Sequence, residues 1–243
     1  MPQTLHIIMN QKYLDSERLP GKTAVVFDVL LATTTIAMAL NAGASEVYTV
    51  PEVEQARQLA LQFNDQNSIL AGEKDALVPQ GFESFLPTQL ATNPLDGKRL
   101  ILVSTNGTVA LHNALNASSI LTCAIVNIGA VAEHLLTQHN SGTILLVCSA
   151  SRHRFNIEDF LGAGLLVGRL NKLAPNRFNL TDSATAALHL AQTDNTEFIL
   201  AQSRVGRVLA DLDMHDDVIL SGKLDHYNVA PKLVSGRLIN ASK

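Results

Sequence analysis

Four apolar runs in this sequence end on residues that could do chemistry. Ala24-Val25-Val26-Phe27 gives way to Asp28, with Thr33, Thr34 and Thr35 close behind. Ile69-Leu70-Ala71 gives way to Gly72-Glu73-Lys74. Leu102-Val103 gives way to Ser104-Thr105-Asn106-Gly107-Thr108. The run ending at Val147 gives way to Cys148-Ser149, then Arg152, His153 and Arg154, then Glu158-Asp159. The Thr and Asn residues stand where helices should begin. Free backbone N–H groups and the positive end of the helix dipole make such places anion sites. Ordinary N-capping explains either group alone. Two of them at strand ends point towards a phosphate or another oxyanion. Gly107 would let a ligand approach the backbone closely.

The carboxylates stand out because charge is scarce. Between Leu100 and Ser151 the only Asp, Glu, Lys or Arg is Glu133, and Val29–Ser45 has none. A carboxylate at the rim of a buried sheet needs a partner, a metal or a raised pKa. Oxygen ligands beside a phosphate suit Mg²⁺, which takes few carboxylates and keeps its waters. Asp28 and Glu73 are the candidate ligands. A salt bridge or cap for Asp28 and a solvated loop charge for Glu73 are the plain alternatives. Glu158 and Asp159 open a helix after Asn156, where the dipole alone favours them. Arg152 and Arg154 could clamp an anion or neutralise those acids. Cys148 reads as a small residue ending a buried strand. No P-loop, G-x-G-x-x-G or G-x-S-x-G occurs, and His134 and His139 lack metal-ligand spacing.

The elements that must hold these residues alternate along the chain. Strands are expected at Leu5–Met9, Ala24–Phe27, Glu46–Val50, Ser68–Ala71, Arg99–Val103, Ser119–Ala124 and Thr143–Val147. Helices are expected at Thr33–Leu40, from Pro51 to about Phe63, and at Gly107–Leu115, Gly129–Gln138 and Asn156–Lys172. Gly72 to Pro87 reads as a long loop, a length that favours function. Thr181–Ala191, Asn195–Gln202 and Arg204–Asp211 look helical, and one β-like segment lies near Lys232–Ile239. Unbroken apolar strands between helices mean a largely parallel sheet in a three-layer α/β/α sandwich. Ligands in such sheets gather beyond the strand carboxyl ends. The expectation is a single α/β domain over residues 1–243, more helical from about residue 175.

With 243 residues, 47% of them apolar and 16% charged, the chain can build a real core and is not disordered. A net charge of −4 without a basic run argues against nucleic acid. Two cysteines suit a reducing compartment. The apolar runs are too interrupted for a membrane span, and the start lacks a signal-peptide pattern. The expected setting is the cytoplasm, with a second copy of the chain as a compatible partner.

These motifs, in this order, resemble the 2-phosphosulfolactate phosphatase family over about Val25 to Gly168. Asp28-Val29-Leu30-Leu31-Ala32-Thr33-Thr34-Thr35 is similar to its D-V-L-R-A-T-[ST]-T. Gly72-Glu73-Lys74 is similar to G-E-R, Gly81-Phe82-Glu83 to G-F-D, and Ser104 to Thr108 to T-T-N-G-T. Cys148 to Phe160 is similar to C-A-G-x-x-G-x-F-x-L-E-D, and Ser203 to Leu209 to S-x-H-G-R-x-L. Leu31 stands for Arg, Ser149-Ala150 for A-G, His153 for Gly and Val205 for His. The resemblance implies a Mg²⁺-dependent phosphatase that converts 2-phospho-3-sulfolactate and water into sulfolactate and phosphate, a step in coenzyme M biosynthesis. Asp28, Glu158 and Asp159 would be catalytic, with a carboxylate such as Glu158 or Asp159 as general base. Asp28, Glu73 and Glu158 would hold the metal. Thr33, Thr34, Thr35, Lys74, Thr105, Asn106, Gly107, Thr108, Cys148, Arg152 and Arg154 would bind a small phosphorylated or sulfonated acid. Leu31 and Val205 motivate a second reading, a relative that binds a small anion or a protein partner without turnover. A dehydrogenase or nucleotide enzyme is a weaker third, since the glycine fingerprint is missing.

Overall fold

The computed structural model describes residues 2–63, 67–74, 77–139, 142–151, 154–193 and 195–242. The first strand, β1 (Gln3–Ile8), leads through two short 3₁₀ turns to β2 (Thr23–Phe27) and helix α1 (Ala32–Asn41). Then come β3 (Glu46–Val50), α2 (Val53–Phe63), β4 (Ser68–Gly72), the one-turn α3 (Pro87–Leu90), β5 (Arg99–Val103) and α4 (Gly107–Asn113). Next are β6 (Ser119–Cys123), α5 (Ile128–Gln138), β7 (Thr143–Cys148) and α6 (Ile157–Leu173). The chain continues with β8 (Phe178–Leu180), α7 (Asp182–Ala191), α8 (Thr196–Gln202), α9 (Arg204–Asp211) and α10 (His215–Ser221). It closes with the pair β9 (Pro231–Val234) and β10 (Arg237–Asn240).

The strands form one sheet in the order β4-β5-β3-β10-β9-β6-β2-β7-β1-β8. Pairing is parallel within β4-β5-β3 and within β6-β2-β7-β1-β8. The β9–β10 hairpin joins these two blocks and supplies the antiparallel pairings. The expected three-layer, largely parallel sheet is therefore present. The hairpin was expected only as one β-like segment. Its turn places Ser235 at φ 50° and Gly236 at φ 81°, the left-handed pair that a two-residue hairpin needs.

Alternate residues of each central strand feed different layers. Val25 and Phe27 pack with α5 and α6, through Ile128, Val131, Leu161 and Leu166. Ala24 and Val26 pack with α1 and α4, through Ile36, Ala37, Ala110 and Leu111. A smaller cluster of Ala56, Phe82, Ile101 and Val103 seats α2. Burial on both faces explains why the strands read as unbroken apolar runs. Among the described residues, no helix is long and apolar enough to cross a membrane.

Candidate active site

Asp28 follows β2 directly and lies at the carboxyl end of the parallel block. It is 5% exposed. Four strands separate β2 from β5 in the sheet, yet the start of α4 meets Asp28. A Cβ built on Gly107 would lie 2.6 Å from Asp28 Oδ2 and 2.6 Å from the Ala32 Cβ. Glycine at 107 is therefore a packing requirement that lets the Asp28 carboxylate abut a helix start. Gly72 does the same for the next acid. Its φ of 144° and a built Cβ only 2.2 Å from the Val103 carbonyl admit no side chain. Glu73 is thereby set beside the β5 end, where the Thr105 backbone N–H (2.6 Å) and hydroxyl (2.8 Å) donate to its two carboxylate oxygens.

Glu158 and Asp159 open α6, but the two behave differently. Asp159 is fully buried. Its carboxylate accepts from the Val29 N–H (2.9 Å), the Ser149 hydroxyl (3.1 Å), the Ala150 N–H (3.3 Å) and Asn156 Nδ2 (3.3 Å). It fastens the β2 end to the β7 end. Glu158 is 1% exposed, and its Oε1 has no hydrogen-bond partner among the described residues. Burial raises the Glu158 carboxyl above its ordinary value, while Arg204 and the Ser203 hydroxyl oppose that rise. Burial, then the charges of Glu158 and Glu73, push Asp28 up to about 7. The Ser149 hydroxyl bonds both Asp28 and Asp159. It owns one proton, so it can donate to only one of them at a time.

Asp28 and Glu73 face a cavity of about 250 Å³, whose lining does not include Glu158 or Asp159. Its polar lining is Asp28, Thr35, Glu73, Ser104, Thr105, Asn106, Ser151 and Arg204. Arg204 was not anticipated as a site residue. Its Nη2 donates to Asn156 Oδ1 (2.8 Å) and to the Ser151 hydroxyl. Asn156, expected as a helix cap, spends its side chain on this link and on Asp159. Arg204 is delivered by the start of α9, where Ser203 Oγ accepts from the Gly206 N–H at 2.9 Å. A Cβ on Gly206 would fall 1.9 Å from the Leu200 carbonyl, so only glycine lets α9 abut α8 here. The readable signal was the pair Ser203 and Gly206, a cap and a close approach.

Several expected ligands sit elsewhere. The Thr33 hydroxyl accepts from the Asp28 N–H (3.1 Å), and the Thr34 hydroxyl donates to the Val29 carbonyl (2.9 Å). Both residues are buried, so they brace the β2–α1 turn rather than line the cavity. Thr35 lines the cavity but donates to the Phe85 and Leu31 carbonyls. The Thr108 hydroxyl donates to the Ser104 carbonyl at 2.7 Å. Cys148 is fully buried below the site, where burial and the Asp159 and Glu158 charges push its thiol well up. Lys74 Nζ lies on Glu52, 2.9 Å and 3.0 Å from its oxygens, outside the lining. Arg154 is exposed, and its backbone pairs with Ser151. Arg152 lies outside the described residues.

A profile of the 2-phosphosulpholactate phosphatase family matches residues 8–236. The chain belongs to the 2-phosphosulfolactate phosphatase family. One relative, the probable 2-phosphosulfolactate phosphatase of Carboxydothermus hydrogenoformans, is 36% identical over 225 residues, covering 90% of each chain. That of Thermotoga maritima is 35% identical over 221 residues, covering 90% of this chain and 92% of its own. That of Prochlorococcus marinus is 36% identical over 224 residues, with coverage of 90% and 92%. The family is one of phosphatases, so the site belongs to a hydrolase lineage. One departure from the family's motifs has a visible backbone consequence: Ala150 stands at φ 60°, in the left-handed region that favours glycine.

Proposed function

We propose that this chain is a Mg²⁺-dependent phosphomonoesterase acting on a small phosphorylated acid. The relatives' names point to 2-phosphosulfolactate as the type of substrate. The carrying observation is that Asp28 and Glu73 line one strand-end cavity, while Glu158, whose charge acts on Asp28, is buried with its Oε1 unpartnered among the described residues. Such a cluster suits a cation. Each carboxylate raises the cost of ionising Asp28, and a divalent ion would remove that cost. Among the described residues no three His, Cys, Asp or Glu groups already form a ligand set. One or two carboxylates, completed by water and phosphate oxygens, is the arrangement Mg²⁺ accepts.

Asp28 and Glu73 would hold the ion, with Glu158 close behind Asp28. The bound ion would neutralise charge on the phosphoryl oxygens and lower the pKa of a coordinated water. Asn106 and Ser104 would receive the phosphate at the mouth of α4. Thr105 acts through Glu73, whose carboxylate it fixes at both oxygens. Arg204 would hold the acid group of the substrate. In the reaction a water oxygen bonds to phosphorus as the ester P–O bond breaks. The products are the free hydroxy acid and inorganic phosphate. Glu158 is the carboxylate suited to take the water proton, because its Oε1 carries no donor among the described residues and it stands behind Asp28. Asp159 is not, because four donors already occupy its oxygens.

The test is phosphate release from a panel of small phosphorylated hydroxy acids, in Mg²⁺ and in EDTA. Release that needs Mg²⁺ is the expected result. Folded protein that releases no phosphate from any of them would overturn the assignment.

A further inference from the structure

The cavity is lined by two chemically different sets of residues. Asp28, Glu73, Asn106 and Arg204 belong to the polar set. The apolar set, which includes Leu30, Leu31, Phe85, Val205, Leu209 and Met214, supplies an apolar wall. Three separate segments build it: the entry to α1, the loop after β4, and α9 with the turn that follows. Phe85 is pinned there, since its carbonyl accepts the Thr35 hydroxyl at 2.9 Å. Leu31 and Leu209 are 6% exposed and join the main core, and the partly buried Val205 and Met214 pack against it. Leu31 and Val205, two positions where this chain departs from the family motifs quoted above, both lie on it.

Charge counting sets what the cavity can accept. Its lining holds two carboxylates and, among the described residues, one cation, Arg204. A phosphate at a metal that Asp28 and Glu73 would hold, and one acid group on Arg204, would use the positive partners of the described lining. A further anionic group would have to lie on the apolar wall, stripped of water and without a partner, which is strongly unfavourable. An aliphatic or aromatic group there would bury apolar surface instead.

Building on the phosphatase reading of this same site, we infer that the substrate is a phosphorylated hydroxy acid with an apolar substituent. The phosphate lies at Asp28 and Glu73, the acid group on Arg204, and the substituent on the Leu31–Phe85–Leu209 wall. A substrate with a sulfonate in that third position is a poor fit to this chain.

The experiment compares two synthetic esters that share phosphate and carboxylate: 2-phosphooxy-4-methylpentanoate and 2-phospho-3-sulfolactate. The branched alkyl ester should have a kcat/KM roughly tenfold or more above the sulfonate, chiefly through KM. Leu31→Arg, or Met214→Lys at a half-buried position, should reverse that preference. A sulfonate hydrolysed equally well or better by the wild type overturns the inference. If neither ester releases phosphate, the phosphatase reading fails on its own. Calorimetric affinities of the two intact esters then decide the wall: tighter binding of the alkyl ester supports it, and equal or tighter binding of the sulfonate overturns it.

Discussion

Replacing Asp28 by Asn should make the metal-free protein more stable while removing its activity. Burial and the neighbouring Glu158 and Glu73 charges raise this carboxyl from 3.8 to about 7. In the unfolded chain it ionises at its ordinary value, so folding takes up a proton here between about pH 4 and pH 7. The stability contributed by the neutral carboxyl is full below the unfolded value. It is lost as pH rises towards the folded value, and above that the whole penalty, roughly 4 kcal/mol, remains. Asn cannot ionise and keeps an oxygen for the Ala32 N–H that Asp28 accepts. Denaturant unfolding in EDTA at pH 5 and pH 8 reads the difference. The variant should gain on the wild type by about 2–3 kcal/mol between those pH values. Phosphate release in Mg²⁺ should fall roughly hundredfold or more. Mg²⁺ should stabilise the wild type at pH 8 and leave the variant unmoved. A stability gap that is constant with pH, or a variant less stable at pH 8, would refute the reasoning.

Four further outcomes follow from the same geometry. Glu158→Gln should fold, and should lower kcat far more than it raises KM; steady-state kinetics with unchanged kcat would remove Glu158 as the proton acceptor. Asp159→Asn places an amide N–H₂ against groups that already donate, so chemical denaturation should show a loss of about 2–4 kcal/mol. Ala150→Gly relieves a left-handed residue and should raise stability by up to about 1 kcal/mol, whereas Ala150→Val should lower it. Gly206→Ala drives a Cβ into the Leu200 carbonyl; KM should rise with it because α9, and Arg204 with it, must shift.

Much of the site was readable because charge is so sparse. Asp28, Glu73 and Glu158 are among the few ionisable residues near strand ends, and the ligand rule for parallel sheets singles out that rim. The hydroxyls were less readable. Thr33, Thr34 and Thr108 have the residue type of anion ligands, but their hydroxyls close turns with nearby backbone groups. Type and spacing cannot separate the two uses, because both ask for a small hydroxyl at a helix start. Arg204 was hidden for another reason. It reaches the cavity only because Gly206 lets α9 press against α8, a tertiary fit far along the chain from Asp28. The β9–β10 hairpin was half legible: Ser235-Gly236 is a turn signal, but its insertion between two parallel blocks depends on partners distant in sequence. Strand β8 has three residues, too few for a periodic pattern.

The central claim is that a divalent cation held by Asp28 and Glu73 receives the phosphoryl group. Calorimetric titration with inorganic phosphate, with and without Mg²⁺, tests it most directly. Phosphate should bind in the presence of Mg²⁺ and should not bind in EDTA, where the carboxylates repel it. Equal binding in both conditions would contradict the claim.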